Sequence, residues 1–468
     1  MKNQQPVTKT RLYTPRATLC AIGIKLRSLK FFGTIAEHVH VRQKTIKHTP
    51  VEKLQDAFIA ILAGAHGLCE VNTRVRSDAA LQRSFGRSSC AEQSVVQETL
   101  DACTVENVRQ MKHAFKSLTR AHGRAYRHPY KTKLQLLDVD MTGLPCGRQA
   151  ERASKGYFAN QPGRYGRQMA RVIATHYEEV VLDWVGPGNV QLNRCLRPLV
   201  EEAEWMLDLD AAKRRRTVLR IDAGGGSIND VNWLLSRGYQ IHSKDVSAER
   251  AAGIASSVRE WYADPLHPGR RVGWATCPSD GYEREVRRLI VRWRKRNGRE
   301  CFAALLSTLE PRQVFGLLGE STKRLSDGRA VALAYAYLYD KRGGGIEIEI
   351  KEDKQGFGLT KRNKKRYYAQ QMVVLLSALA HNVVVWSRAW LSEVSQIKRQ
   401  GVLRMVRDVF QVGGFVEVGA KQAIKRIVLN GAAAWARRCA NSLRALLKQQ
   451  HVRVSLGETY SALHLHCP

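Results

Sequence analysis

Acidic side chains set in apolar company are where this sequence has the most chemistry to explain. Residues 134–145 read LQLLDVDMTGLP, with Asp138 and Asp140 two residues apart in the apolar run. On a strand, alternate side chains share a face, so both carboxylates would point the same way. Such a pair is costly unless something holds it, and a metal ion is one such partner. Two later stretches carry complementary acids: LRIDAGGG around Asp222 and GGGIEIEIKEDK around Glu347. Three separated carboxylates suit a site for two divalent ions. Each hard cation takes several oxygen ligands, and Mg²⁺ keeps waters and substrate phosphates in its shell. Two ions flanking a phosphodiester activate the attacking oxygen and stabilise the leaving one, with no covalent nucleophile from the protein.

The elements that must position these acids follow from periodicity. Residues 134–142 predict a first strand, followed by a polar, glycine-rich loop over 143–166. Residues 168–176 and 179–185 predict two more strands with a tight connection. Residues 191–209 predict an amphipathic helix with Leu192, Leu196, Leu199, Ala203 and Met206 on one side. Then come a strand at 217–222, a helix at 228–236 and a strand at 239–243. The first three strands predict an antiparallel meander, the later ones parallel additions through helical crossovers. If the first and fourth strands are neighbours, their ends bring Asp140 and Asp222 together. Residues 245–328 interrupt the pattern, with Arg-rich helical character at 283–296 and a strand-like CFAALLST after it. Residues 330–339 (AVALAYAYLY) predict a buried strand. The glycines at 343–345 turn into a helix that carries Glu347, Lys351 and Lys354 on one face.

The flanks read as helical and basic. Residues 1–48 are rich in Lys and Arg, and 50–118 show helical spacing. The run from Asp78 to Gly86, followed by 91–104, resembles a helix-turn-helix with Gln93, Ser94 and Gln97 exposed. The expected organisation is a DNA-binding helical region at 1–130, a catalytic core at 131–245 completed by 329–390, an insertion subdomain at 246–328, and a basic helical region at 391–468.

Charge indicates the partner. The 468 residues hold 76 Lys plus Arg against 42 Asp plus Glu, a formal net charge of +34. That excess calls for a polyanion, and nucleic acid is the first choice. A membrane partner is not expected. The N-terminal stretch is basic and polar with no apolar h-region. The longest apolar run, 372–386, is short for a span and carries Ser377, His381 and Asn382, which fits a buried helix. The 10 cysteines form no C-x-x-C pair, so reduced thiols are expected rather than a zinc ribbon or disulfide framework. His464 and His466 read as a frayed tail, not a metal site.

Taken together, these motifs resemble bacterial insertion-sequence transposases of the DDE type, in the group with the tyrosine-arginine-glutamate-lysine signature. The matching residues are Asp140-Met141-Thr142, VLRIDAGGGS at Asp222, and Tyr339, Arg342, Glu347 and Lys354. Asn382 in LSALAHN is similar to the helix that follows in that group, and D-x-x-L-x-R-x-F-G from Asp78 to its N-terminal region. The likeness covers most of residues 78–386. It departs at one point: four residues separate Arg342 from Glu347, where that group has three. Gly345 is one reading of the extra residue. Glu349 and Glu352 stand as alternates for the third ligand, and Asp138 as the alternate to Asp140.

The resemblance implies an α/β fold with an RNase H-like core, a mixed sheet with flanking helices. It implies two Mg²⁺ or Mn²⁺ ions held by Asp140, Asp222 and Glu347. Tyr339, Arg342, Lys351 and Lys354 would contact DNA phosphates. It implies cleavage of double-stranded DNA at insertion-sequence ends and strand transfer by the freed 3′-hydroxyl. Joining two ends points to a homodimer in a synaptic complex, in a bacterial cytoplasm and associated with the nucleoid. Two other readings stand beside it. VLRIDAGGGS, with a second strand ending in Asp245, looks like the first motif of an S-adenosylmethionine-dependent methyltransferase. A non-catalytic, transposase-derived DNA-binding protein would keep the charge without the chemistry.

Overall fold

A computed structural model of the chain describes residues 10–158, 161–279, 281–391, 395–419 and 423–457. His464 and His466 lie outside the described residues. The chain forms two compact units: Met1–Gly123 with Leu144–Glu151 and Lys351–Pro468, and Arg124–Gly143 with Arg152–Ile350.

The second unit is built on a ten-stranded sheet. Its first part is β1 (Gln135–Pro145), β2 (Ser154–Lys155), β3 (Tyr165–Ala174), β4 (Glu179–Pro187), helix α1 (Leu192–Leu207), β5 (Thr217–Ile221), α2 (Ile228–Ser236) and β6 (Gln240–Lys244). Its second part is β7 (Tyr262–Ala263), β8 (Arg271–Trp274), β9 (Arg287–Arg294), β10 (Glu300–Ser307) and α3 (Gly328–Arg342). The spatial order is β2-β3-β1-β5-β6-β10-β9-β8-β7, with β4 also paired to β3. β3 and β4 are antiparallel. β5 lies parallel to β1, setting Asp138 opposite Arg220 and Val139 opposite Ile221, and β6 lies parallel to β5. The first and fourth long strands are therefore neighbours. α1 buries Leu192, Leu196, Leu199, Ala203 and Met206, the stripe its spacing predicts.

Two secondary-structure expectations fail here. Residues 283–296 were expected as a helix, but 287–294 form β9. Its Leu289 and Val291 enter one core and Ile290, between them, enters another, so the alternation is that of a strand with two covered faces. The arginines flanking them mimic helical amphipathicity. One of them, Arg292, lies over the Trp261 ring at 4.6 Å. The segment 246–328 also continues the sheet rather than standing apart: β10 pairs antiparallel with β6, β9 with β10, and β8 with β9.

The second failure is 330–339, expected as a strand but part of helix α3. Alternating alanine and large apolar residues imitate a period of two, yet alanine is the strongest helix former. Asp327 caps the first turn by accepting from the Ala330 amide at 3.1 Å. The helix is apolar nearly all round because Val331, Tyr335 and Leu338 share a core with sheet residues Leu136, Val218 and Leu305.

The other unit is mainly helical. Tyr367–Trp390 is its longest helix, buried along most of its length. By length and composition alone it could cross a membrane, and 94% of its apolar window is buried inside the protein. A four-stranded sheet joins Thr10–Thr14 to Gly414–Val418, then Ile424–Leu429, then Arg453–Leu456. Residues 391–468 are thus not wholly helical as expected. The Asp78 motif proves structural. Asp78 caps Ala79–Ser84 through the Leu81 amide and accepts the Thr14 hydroxyl at 2.6 Å. Gln97, expected as exposed, is partly covered and accepts from Lys364 Nζ at 2.7 Å.

Candidate active site

β1 delivers two acids to two different environments. Asp138 is fully buried and faces Arg220 on the neighbouring strand in a bidentate pair, 2.6 Å from Nε and 2.7 Å from Nη2. The Thr175 hydroxyl donates to the same carboxylate at 2.6 Å. Both oxygens are occupied, and Arg220 is itself buried, with Nη1 donating to the Leu338 carbonyl. The alternate first ligand is therefore a core ion pair. The sequence carried a signal for it: an arginine inside the apolar strand VLRID needs a buried partner.

Asp140 sits farther along β1, where the strand leaves the core, and its side chain is 14% exposed. Its Oδ1 accepts the Met141 amide at 2.8 Å and lies 3.2 Å from Arg342 Nη2. Burial pushes the Asp140 carboxyl above the usual range. Arg342 and the Met141 amide pull it down, and the charges of Asp222 and Glu347 push it up. In the parallel register of β1 and β5, Asp140 and Asp222 each come one residue after the pair Val139 and Ile221.

Asp222 follows the last residue of β5 and caps a short turn, with Oδ1 accepting the Gly224 amide at 3.0 Å. The turn reading holds for it. The glycines behind it serve packing: a Cβ on Gly226 would lie 2.2 Å from the Lys244 carbonyl oxygen. Asp245, the acid that a methyltransferase reading would assign to a cofactor, is paired with Arg250, whose Nε donates to Oδ2 at 3.0 Å. Both features thus have structural employment.

Glu347 arrives through an irregularity in its helix. α3 does not stop at the glycines: Gly343 keeps right-handed helical dihedrals, and Gly343–Glu347 form one π-helical turn before Ile348–Gly356 resumes the α-helix. Residues five apart face different sides of an α-helix, whereas the wider turn returns them to one side. The extra residue between Arg342 and Glu347 is absorbed there. Arg342 Nη1 lies 3.4 Å from Glu347 Oε1, although the glutamate side chain is 59% exposed.

Arg342 is the hub. It is almost fully buried, donates from Nη2 to the Val139 carbonyl at 2.8 Å, and touches both Asp140 and Glu347. Burial opposes its charge, but Asp140, the neighbouring Tyr339 and Asp222 outweigh it, so its pKa is raised. Arg342, expected to contact DNA phosphates, faces the protein's own carboxylates in this structure. One turn earlier, Tyr339 is pushed above the usual phenol range, chiefly by burial, with Arg342 opposing and Asp222, Asp140 and Glu347 adding to the rise.

Glu349 is buried, and Glu352 accepts the Leu403 amide at 2.6 Å. Lys351 and Lys354 belong to the mainly helical unit, where Lys351 is exposed and Lys354 lines a cleft. Among the described residues, no group of three or more His, Cys, Asp or Glu side chains is gathered tightly enough to hold one metal ion. The donor chemistry of Asp140, Asp222 and Glu347 nevertheless fits a hard divalent cation, being all carboxylate with neither thiolate nor imidazole.

No protein-family model matches the sequence, and no curated protein matches it. Among solved structures, the chain is similar to a piggyBac transposase synaptic complex with hairpin DNA, seen by cryo-electron microscopy. The TM-score is 0.45 and the identity 14%, over 94% of this chain and 84% of that one.

Proposed function

We propose that this chain is a metal-dependent transposase of the DDE type, cutting double-stranded DNA at the ends of an insertion sequence and joining the freed 3′-hydroxyl to a target. One observation carries this reading. Arg342 contacts Asp140 at 3.2 Å and Glu347 at 3.4 Å, and Asp222 follows β5, the parallel neighbour of the strand that carries Asp140. The strand order also supports an RNase H-like core: a meander of three long strands, then two parallel additions beside the first.

On this reading Asp140, Asp222 and Glu347 hold Mg²⁺ or Mn²⁺, and the bound ions supply Lewis-acid activation of the attacking oxygen and charge relief at the leaving one. Arg342 orients two of the carboxylates, and its charge opposes the effect of burial on Asp140. Tyr339, neutral and beside the same charges, offers a hydroxyl donor to a phosphate oxygen. The net charge of +34 supports DNA as the partner. Two copies on paired element ends complete the proposal.

The test is cleavage of a linear duplex carrying the inverted repeats that flank the gene. Purified protein with Mg²⁺ should cut at the repeat end, and Asp222→Asn should abolish cutting while binding stays within about twofold. Cutting by that variant at the wild-type rate would overturn the ligand assignment. Binding that survives with no cutting under any metal would instead favour the non-catalytic reading, and saturable S-adenosylmethionine binding the methyltransferase one.

A further inference from the structure

The mainly helical unit contains a cleft of about 680 Å³ whose lining includes His66, Arg74, Lys354, Lys361, Arg407 and two glutamines, but no carboxylate. Its volume is that of a site for a nucleotide-sized ligand. Three separated stretches of chain wall it: 64–74, 354–361 and 403–411. Their approach is close enough to constrain the sequence. Gly358 has φ +64°, and a Cβ there would lie 2.7 Å from the Cα of His66. Only glycine suits that combination of backbone and space.

One cation of the cleft, Arg74, is held in place from behind. Arg74 Nε donates to Glu70 at 2.5 Å, and its Nη1 donates to the Ala63 carbonyl at 3.2 Å. Glu70 also accepts the His66 and Gly67 amides at 2.7 and 3.1 Å, so its charge is consumed behind the cleft wall. Arg362 lies buried behind the same wall, with Nε donating to the Phe357 carbonyl at 2.7 Å and Nη2 to that of Ala65. Burial first and the charge of Lys361 next push His66 below its ordinary value. Lys361 and Arg407 are exposed at the mouth. Lys361 and Arg407 face a space whose lining includes no acid, a setting that favours an anion.

We propose that this cleft seats two backbone phosphates of double-stranded DNA, with Lys361 and Arg407 as the mouth contacts, one to each phosphate, and Arg74 and His66 below them. DNA as the source of the phosphates rests on the function proposed above; the anion chemistry of the cleft does not. The test compares Lys361→Gln/Arg407→Gln in the full chain with Arg312→Gln/Lys323→Gln, an exposed pair on the other unit. Binding of a duplex is followed by fluorescence anisotropy across NaCl concentration, with EDTA present so that cleavage plays no part. For the cleft pair, the slope of log K against log salt should shallow by about 2, near 0.9 for each phosphate no longer neutralised. The comparison pair should leave the slope within about 0.5 of wild type. An unchanged slope in the cleft pair, or equal shallowing in both pairs, would overturn the proposal, as would a wild-type chain that binds no duplex. Inorganic pyrophosphate that binds wild type but not the cleft pair, with duplex binding alike in both, would overturn the DNA source and make this a small-anion site. Duplex binding that behaves as expected, without cleavage in Mg²⁺, would sink the nuclease reading and leave the cleft standing.

Discussion

Arg342 and Glu347 are five residues apart and touch, Nη1 to Oε1 at 3.4 Å, because a single π-helical turn lies between them. A one-residue excess that would turn the glutamate away from the arginine in an α-helix is accommodated without separating the two side chains. Arg342 then bridges to Asp140, so the helix irregularity couples two acids from opposite ends of the unit's sequence.

The turn is paid for in glycine, and that cost is recoverable. Gly344 is exposed, and a Cβ there meets nothing within 4 Å. Gly344→Ala should raise stability by about 0.5–1 kcal/mol, measured by urea denaturation, since glycine inside a helix is worse than alanine by that much. A loss of stability would show that the turn needs glycine's freedom at this position.

Removing the arginine should separate positioning from folding. Arg342→Gln should lower cleavage about 10–100-fold, the range for groups that orient metal-holding side chains. The pH profile of cleavage should also move to higher pH, because Asp140 loses the cation that opposes its burial. A purely structural role would reduce activity without moving the profile.

Asp140 makes a stability prediction with a definite sign. Its native pKa is raised above the ordinary 3.8, so in metal-free solution the native state binds its proton more tightly than the unfolded state does. Its contribution to stability therefore falls as pH rises from 3.8 through the native pKa. In EDTA, Asp140→Asn should be more stable than wild type at pH 7, with the difference closing below 3.8. A gap that widens on acidification would contradict the burial seen here.

Asp138 should behave in the opposite way from its neighbour. Asp138→Asn leaves Arg220 buried against a neutral amide, and breaking a buried pair costs about 3–5 kcal/mol. Thermal or chemical unfolding should show that loss, whereas Asp140→Asn keeps the fold and loses cleavage. Equal stability of the two variants would remove the distinction between core pair and site acid.

Metal identity can be read through ligand softness. Asp222→Cys should fail to cut in Mg²⁺ and regain a measurable rate in Mn²⁺, which accepts a thiolate more readily. Recovery in Mg²⁺ alone would argue that Asp222 does not ligate.

Periodicity alone located β5, α1 and α2 within a residue or two, because each buries one regular stripe and the pattern is local. It missed α3, where alternating alanine imitates a strand, and β9, where arginines flanking core residues imitate a helix. Both errors have one cause: two covered faces erase the amphipathic contrast on which period is judged. The three acids and the extra residue before Glu347 were visible in sequence. Which of Asp138 and Asp140 is the buried partner was not, since Arg220 reaches Asp138 only through the parallel pairing of β1 with β5. Nor could spacing show that a π turn restores Glu347 to Arg342. The sequence by itself determined the residue chemistry, the charge and most local elements. Tertiary structure decided which carboxylate is neutralised in the core and which stand together around Arg342, because long-range pairing alone sets burial and charge proximity.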